Sequence, residues 1–220
     1  GHSLGEFSAL VAAGALRFGD AVRLVRLRGQ AMQEAVPSGV GAMAAIVGMA
    51  SDSLEALCKE VSREGDEVSP ANENGGGQVV VAGHKDAVAR LCEAAKGRKA
   101  RAIPLDVSAP FHCSLMRPAA ERLQAALAEV EILPLAIPVV ANVDATPYRD
   151  AAAVRDRLVR QVTGRVRWEA SVQALVAAGV TRAYELGHGR VLAGLCRRID
   201  RGLAVLPGAA PGDFADASAR

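Results

Sequence analysis

The sequence is poor in aromatic residues, which make up only 3% of its 220 residues. Proteins that bind single-stranded nucleic acid stack bases on aromatic rings, and nucleic-acid-binding domains carry strongly basic faces. The formal net charge is only +2, so a general nucleic-acid-binding protein is not expected. Because 50% of the residues are nonetheless hydrophobic, we expect an aliphatic core, and a chain of this length has enough surface to bury one.

Long apolar runs are also missing. No segment reaches the roughly 18 consecutive apolar residues that a transmembrane helix needs, and no signal-peptide pattern is present. The cysteines are widely spaced and contain no C-x-x-C pair; they are Cys58, Cys92, Cys113 and Cys196. This spacing predicts neither a disulfide framework nor a zinc site, and it is typical of reduced thiols in a cytoplasmic protein.

The most informative motif is Gly1-His2-Ser3-Leu4-Gly5-Glu6, a G-x-S-x-G pattern followed by a run of helix-forming residues. Glycines on both sides of a serine suit a sharp strand-to-helix turn that presents the hydroxyl in a cleft. The amides at the start of the helix would then face any negative charge that develops there. The alternative is a chance match in which Ser3 only caps a helix. The strand that feeds such a turn would lie before residue 1, so we expect the chain to be part of a longer protein.

A second helix is predicted from Asp20 to about residue 36, with apolar residues at helical spacing. Arg28 falls on the apolar face of this helix, four residues after Leu24 and four before Met32. A guanidinium in that position either extends to water along its aliphatic stem or binds an anion such as a substrate carboxylate. The spacing leaves both interpretations open.

Residues 39–106 are predicted to form a small inserted subdomain. Its patterns predict strands at 42–48, 67–71, 78–82 and 100–107, and helices at 51–62 and 85–96. The resulting order, β-α-β-β-α-β, is that of ferredoxin-like folds. The triple glycine at 75–77 is followed by a strand rather than a helix, so it indicates a hairpin turn and not a phosphate-binding loop.

Residues 1–38 and 107–206 are predicted to form a large subdomain in which helices and strands alternate. The expected strands are 137–143, 181–186 and 203–206, and the expected helices are 118–130, 152–162, 169–178 and one ending at 199. This alternation indicates an α/β fold with a largely parallel sheet. The tail, 207–220, is rich in Gly, Ala and Pro and is expected to be poorly ordered.

His112 follows a predicted strand, in the kind of loop where α/β folds place catalytic residues. The other histidines are His2, His84 and His188, and nothing in the local sequence distinguishes His112 from them.

Charge is unevenly distributed along the sequence, because the stretch 155–201 contains ten arginines and four acidic residues. This stretch is either a solvated basic face or a docking surface for an acidic partner or a phosphate-bearing cofactor.

Four segments, taken together in order and spacing, resemble the bacterial malonyl-CoA:acyl carrier protein transacylase family of fatty-acid synthesis. They are Gly1-His2-Ser3-Leu4-Gly5-Glu6, Arg26-Leu27-Arg28-Gly29-Gln30-Ala31-Met32-Gln33, Ser108-Ala109-Pro110-Phe111-His112-Cys113 and Gly187-x-Gly189-Arg190-Val191-Leu192-x-Gly194-Leu195. The resemblance extends to about residue 206. The chain is similar, less closely, to the acyltransferase domains of modular polyketide synthases.

The resemblance implies an α/β-hydrolase-like large subdomain carrying a ferredoxin-like insert. It implies that Ser3 is the acyl-carrying nucleophile, that His112 is its general base and acid, and that Arg28 pairs with the malonyl carboxylate. Gln161 would hold the histidine through its backbone carbonyl, and the backbone amide of Leu4 would stabilise the oxyanion. The implied substrate is malonyl-CoA and the implied partner is acyl carrier protein, with no cofactor, no membrane and no nucleic acid.

The chain departs from the family in three places. The family's opening segment, with its Gly-Gln-Gly-Ala-Gln signature, has no counterpart here, whereas Gly187-His188-Gly189 and Asn74-Gly75-Gly76-Gly77-Gln78 replace the usual loop sequences. The sequence therefore leaves alternatives open: an acyltransferase of polyketide synthesis, a serine thioesterase or esterase, or an inactive fragment. An esterase would not need Arg28 on an apolar face and would usually pair its histidine with an acidic residue.

Overall fold

Two helices, α1 (Leu4–Ala12) and α2 (Phe18–Glu34), begin the computed structural model, which describes residues 1–107 and 109–217. Helix α2 starts two residues before the predicted Asp20. Both helices bury one apolar face in the core of the large subdomain, with Phe7 and Leu10 on α1 and Leu24 on α2 inaccessible to solvent. Ser108, which belongs to one of the segments that carry the resemblance, lies outside the described residues.

The small subdomain follows the predicted order of elements. These are β1 (Gly41–Val47), α3 (Ser51–Val61), β2 (Val68–Gly75), β3 (Gln78–His84), α4 (Lys85–Gly97) and β4 (Arg101–Leu105). The strands form one antiparallel sheet in the order β2-β3-β1-β4, which confirms the ferredoxin-like prediction. Its helices pack on the sheet through a core that includes Leu57, Leu91 and Val81.

The glycine-rich turn between β2 and β3 is a hairpin, as predicted. Gly75, Gly76 and Gly77 all have positive φ angles, of 83°, 62° and 74°, a conformation that glycine adopts at little cost. Strand β2 is longer than predicted, because residues 72–75, which were expected in the turn, continue the ladder with β3 through two irregular steps.

The large subdomain continues after the insert. Its elements are α5 (Arg117–Ala128), β5 (Val139–Val140), β6 (Pro147–Tyr148), α6 (Ala152–Thr163), α7 (Trp168–Ala177), β7 (Arg182–Leu186), α8 (Val191–Ile199) and β8 (Ala204–Gly208), with short 3₁₀ helices at Ser114–Met116 and Pro211–Ala217. Strands β7 and β8 are parallel, whereas β5 and β6 form a separate antiparallel pair. Among the described strands of the large subdomain, the predicted parallel pairing is thus limited to β7 and β8.

The prediction of a seven-residue strand at 137–143 is wrong in length, because β5 has only two residues. Pro138 immediately precedes it and has no amide to donate, and the paired strand β6 itself begins at Pro147. The prediction of a poorly ordered tail is also not what the structure describes, since β8 reaches Gly208 and a 3₁₀ helix ends at Ala217. Residues 218–220 lie outside the described part of the chain.

The segment after α6 joins the two subdomains. Val166 donates its amide to the backbone oxygen of Ala71 at 2.8 Å, and its own oxygen accepts from the amide of Glu73 at 2.9 Å. Arg165 forms ion pairs with Glu55 on α3 at 2.6 Å and with Glu73 on β2 at 2.8 Å. These contacts fix the end of α6 beside β2, and so place residues of both subdomains around one cleft.

No helix within 1–107 and 109–217 is long and apolar enough to cross a membrane.

Candidate active site

Ser3 lies at a sharp backbone turn at the start of α1. Its φ and ψ angles are 50° and −105°, a combination that a non-glycine residue rarely adopts. A Cβ atom at Gly1 would lie only 2.1 Å from the backbone oxygen of Gly5, so a side chain at residue 1 is sterically excluded. Gly5 differs from the expectation, because a Cβ there would meet nothing within 4 Å in the described structure.

His112 contacts the hydroxyl of Ser3. The distance from Ser3 Oγ to His112 Nε2 is 2.8 Å, and His112 Nδ1 lies 2.9 Å from the backbone oxygen of Gln161. Since a carbonyl oxygen only accepts, the proton of the neutral ring must be on Nδ1, and Nε2 is free to accept the proton of Ser3. The neighbouring backbone thus fixes the tautomer that a general base requires.

The pKa of His112 is lowered to about 3, first by burial and second by the positive charge of Arg28. Only 4% of the residue is exposed, and a buried ring loses the hydration that stabilises its charged form. The ring is therefore neutral at pH 7 and can accept a proton.

Arg28 is buried, with 6% exposure, so of the two interpretations that its position on the apolar face of α2 left open, extension to water does not hold. One of its terminal nitrogens, Nη2, donates to Ser3 Oγ at 2.8 Å and to Gln161 Oε1 at 3.0 Å. Because a guanidinium only donates, Ser3 Oγ must accept here, which leaves its own proton directed to His112. Burial lowers the pKa of Arg28 to about 10, so the group remains charged at neutral pH.

The side chain of Gln161 joins these residues to the buried carboxylate of Glu6. Its Nε2 donates to Glu6 Oε2 at 2.7 Å and to the backbone oxygen of Ser3 at 3.1 Å. Both Gln161 and Glu6 are fully buried, and burial raises the pKa of the Glu6 carboxyl. Gln161 therefore contacts the site through its side chain as well as its backbone, a contact that sequence reasoning did not predict.

Asn142 and Glu6 are residues of the site that sequence reasoning missed. The Asn142 side chain contacts the backbone of the serine turn, accepting from the amide of Ser3 and donating to the oxygen of Gly1. The only sequence signal for Asn142 is its position at the end of a predicted strand, which many non-functional residues share. Glu6 had a stronger signal, because it follows Ser3 by one helical turn and so faces the same side of α1.

The site opens into a cavity of about 380 Å³. Residues from both subdomains line it: His2, Ser3, Arg28, Gly29, Met32, Gln33, Met43, Asn72, Leu105, Val107, Phe111 and His112. The exposed walls are mostly apolar, and His112 and Arg28 contact Ser3, an arrangement typical of small-molecule sites. Leu4, whose amide is the expected oxyanion donor, is the first residue of α1. Its amide is therefore among those that have no acceptor within the helix.

The other three histidines do not contact Ser3 Oγ. His2 is bonded through Nε2 to the side-chain oxygen of Asn74, at 3.1 Å. His84 accepts from a backbone amide at the edge of the small subdomain, and His188 is exposed in a glycine-flanked loop. The structure thus separates His112 from the other histidines, which the local sequence could not do.

A larger groove, of about 680 Å³, lies elsewhere, and residues of both subdomains line it, among them Cys58 and Cys113. Burial raises the pKa of Cys58 to about 12 and that of Cys113 to about 11. Both thiols therefore stay protonated and are poor nucleophiles. Within the described ranges, no three His, Cys, Asp or Glu side chains are grouped as metal ligands would be.

The arginine-rich stretch 155–201 is less uniformly basic than its composition indicates. Arg157 pairs with Asp144, and Arg165 and Arg167 pair with Glu73, acidic residues that lie outside the stretch. Six exposed arginines of the stretch have no carboxylate within 4.0 Å among the described residues: Arg155, Arg182, Arg190, Arg197, Arg198 and Arg201. Arg155 donates instead to the backbone oxygens of Leu127 and Val130.

The fold and the serine–histidine pair define an acyl transferase domain, and the sequence agrees. The chain belongs to the Acyl transferase domain family, which matches residues 1–183. The malonyl CoA-acyl carrier protein transacylase of Salmonella typhimurium is 54% identical over 200 residues, which cover 90% of this chain and 64% of that protein. The chain thus spans about 64% of the length of this curated relative.

Solved structures agree with the family assignment. The malonyl CoA-acyl carrier protein transacylase of Coxiella burnetii superposes with a TM-score of 0.94 at 43% identity, covering 99% of this chain and 69% of that one. A malonyl-transacylase solved in complex with its type II PKS acyl-carrier protein matches with a TM-score of 0.93 at 48% identity, covering 99% of this chain and 70% of that one. The predicted resemblance and the α/β fold class are both confirmed.

Proposed function

We propose that the full-length protein carrying this chain transfers a malonyl group from malonyl-CoA to the phosphopantetheine thiol of acyl carrier protein, through a malonyl-Ser3 intermediate. The observation that supports this most directly is the arrangement around Ser3 Oγ. A neutral histidine nitrogen lies 2.8 Å from it and a buried guanidinium donates to it at 2.8 Å. A base and a cation thus converge on one hydroxyl at the end of a mostly apolar cavity.

The first half-reaction makes the acyl-serine. His112 Nε2 takes the proton of Ser3 as Oγ attacks the thioester carbonyl of malonyl-CoA. The carbonyl oxygen becomes an oxyanion, which the amide of Leu4 stabilises at the start of α1. The tetrahedral intermediate then collapses, the carbon–sulfur bond breaks, and His112 returns the proton to the departing thiolate of coenzyme A.

The second half-reaction reverses these steps with a different thiol. The phosphopantetheine thiol of the carrier protein loses its proton to His112 and attacks the malonyl-Ser3 ester. Oγ leaves and receives the proton back, so the enzyme is regenerated and the malonyl group is again a thioester. Both halves use one serine and one histidine, which gives a ping-pong exchange without a cofactor.

Arg28 supplies the proposed selectivity for malonyl. Its guanidinium can form a two-pronged pair with the free carboxylate of the substrate. Acetyl-CoA would leave this buried cation without a carboxylate, and losing a charged hydrogen bond costs about 1.5–3 kcal/mol. A serine thioesterase or esterase would gain nothing from a cation at this position.

The product would supply fatty-acid synthesis in a cytoplasmic, thiol-reducing environment, in line with the four free cysteines. Polyketide synthesis is the second candidate pathway, and the similarity to a malonyl-transacylase that binds a type II PKS carrier protein favours keeping it. We further propose that an acidic carrier protein docks on the exposed arginines of the 155–201 stretch, through attraction that salt would screen.

The test is acyl loading followed by transfer. The full-length protein is incubated separately with malonyl-CoA and acetyl-CoA, weighed intact, and then mixed with carrier protein bearing phosphopantetheine. We expect a malonyl adduct that moves to the carrier protein, is absent in Ser3→Ala and is retained in Ser8→Ala, an exposed serine on the same helix. Loading of the enzyme without transfer to the carrier, or equal loading of both acyl groups, would contradict the proposal.

A further inference from the structure

The turn that presents Ser3 is strained, and something must hold it. Ser3 has φ 50° and ψ −105°, a sparsely populated region that is energetically unfavourable for a residue other than glycine. A strained residue keeps its conformation only when its surroundings enforce it. The hydrogen bonds of the Ser3 side chain, to His112 and Arg28, act on the hydroxyl and not on the backbone.

Two side chains act on the backbone directly. Gln161 Nε2 donates to the backbone oxygen of Ser3 at 3.1 Å, and the residues that precede this oxygen in the turn are bound by Asn142. Its Oδ1 accepts from the Ser3 amide at 2.6 Å, and its Nδ2 donates to the backbone oxygen of Gly1 at 2.7 Å. One planar amide therefore bridges an amide and a carbonyl on either side of His2. The Asn142 side chain thus pairs with the turn as a backbone peptide group of a neighbouring strand would. Because the Ser3 amide donates and the Gly1 oxygen accepts, the positions of Oδ1 and Nδ2 in the Asn142 side chain are determined.

Asn142 is itself held rigidly. It is 1% exposed, its backbone amide donates to Glu6 Oε2 at 3.0 Å, and its backbone oxygen accepts from the amide of Arg167 at 2.9 Å. Glu6 belongs to α1 and Arg167 to the segment that joins the subdomains, so Asn142 connects the serine turn to both. A side chain anchored in this way can resist relaxation of the turn.

We propose that Asn142 is a positioning residue for the reaction, whose side-chain amide keeps the Ser3 backbone in its strained turn so that Oγ stays directed at His112 Nε2. The inference rests on the proposed acyl-transfer function. Without the amide bridge, Ser3 can rotate toward ordinary backbone angles, which moves Oγ and the adjacent Leu4 amide together. A displacement of about 1 Å in a reacting group can lower a rate on the order of 10²-fold.

The test compares Asn142→Ala with a matched control in the full-length protein. Ser171→Ala removes a similarly buried polar group, 3% exposed, whose hydroxyl donates to the backbone oxygen of Arg167 at 2.8 Å, outside the cavity. The measured quantities are the rate of malonyl loading, its KM for malonyl-CoA and the melting temperature. We expect Asn142→Ala to lower the maximal loading rate about 10²-fold while KM changes less than about twofold, because Arg28 is untouched.

Asn142→Asp provides a rescue. When protonated, the aspartic acid accepts from the Ser3 amide and donates to the Gly1 oxygen, whereas the carboxylate lacks the donor. Its activity relative to wild type should therefore rise as the pH falls from about 8 to about 6, since burial raises the pKa of a carboxyl group. If the lower loading rate of Asn142→Ala reflected only reduced stability, Ser171→Ala with the same melting temperature would show the same loss of rate.

The outcomes separate the inference from the function on which it rests. A wild-type protein that forms no malonyl adduct would overturn the proposed function. If wild type is loaded and Asn142→Ala is loaded at the same maximal rate, the role of Asn142 is overturned but the proposed function is not. The same holds if Asn142→Ala loses activity only through a higher KM for malonyl-CoA. A pH-independent Asn142→Asp would also count against the amide bridge.

Discussion

Removing the Arg28 guanidinium should abolish the preference for malonyl over acetyl groups. Arg28 is 6% exposed, and Nη2 lies 2.8 Å from Ser3 Oγ, so a substrate carboxylate bound there would be a desolvated partner. Truncating one member of a buried ion pair costs about 3–5 kcal/mol. At 1.4 kcal/mol for each factor of ten, Arg28→Ala should lower kcat/KM for malonyl-CoA by about 10²- to 10⁴-fold.

Acetyl-CoA is the internal control, because it has no carboxylate to lose. Its loading by Arg28→Ala should change less than about tenfold, reflecting only the lost hydrogen bond to Ser3 Oγ. Arg26→Ala removes an exposed arginine from the same helix and should leave both rates within about twofold. Stopped reactions analysed by intact mass give the loading rates of wild type and both variants with each substrate. If Arg28→Ala lowered the loading rates of both substrates equally, carboxylate recognition by Arg28 would be refuted. The role of Arg28 would then be to position Ser3 and Gln161, to which it donates hydrogen bonds.

Three further predictions concern pH, the buried network and docking. Because the pKa of His112 is lowered to about 3 and the neutral ring is the active form, kcat/KM for malonyl loading should stay flat on the acid side from pH 7 to about 5; a fall near pH 6.5 would show an unperturbed histidine. Gln161→Leu removes the buried hydrogen bonds that its side chain makes to Glu6, Arg28 and the backbone oxygen of Ser3, so the free energy of unfolding from urea titration should drop by at least about 2 kcal/mol, and a loss below about 1 kcal/mol would contradict the network. Arg197→Glu with Arg198→Glu should slow association of the carrier protein at low salt, whereas Arg149→Glu, outside the stretch, should not; association that is insensitive to ionic strength would exclude electrostatic docking.

The sequence predicted the small subdomain well, because its signals are local. Alternating apolar residues, helical spacing and a glycine-rich turn identify each element of 39–106, and the order of elements determines the ferredoxin-like sheet. The large subdomain was harder. Strand β5 was predicted at seven residues and has two, since apolar composition does not reveal whether a pairing partner is present.

The candidate site shows the same division. Ser3 and Arg28 could be selected from motif and spacing, but only the fold brings them within 2.8 Å of each other. The local sequence did not separate His112 from three other histidines; the family resemblance selected it, and the structure places it against Ser3. Asn142 had no usable signal, because its role depends on hydrogen bonds to residues 139 and 141 positions away.

The central claim is that Ser3 carries the acyl group, and peptide mapping after rapid quenching tests it most directly. The full-length protein is mixed with malonyl-CoA, stopped in acid, digested, and sequenced by mass spectrometry. We predict a malonyl ester on the peptide that contains Ser3, which disappears on addition of carrier protein bearing phosphopantetheine. A malonyl group found on a cysteine or on Ser8, or one that persists after the carrier protein is added, would contradict the account.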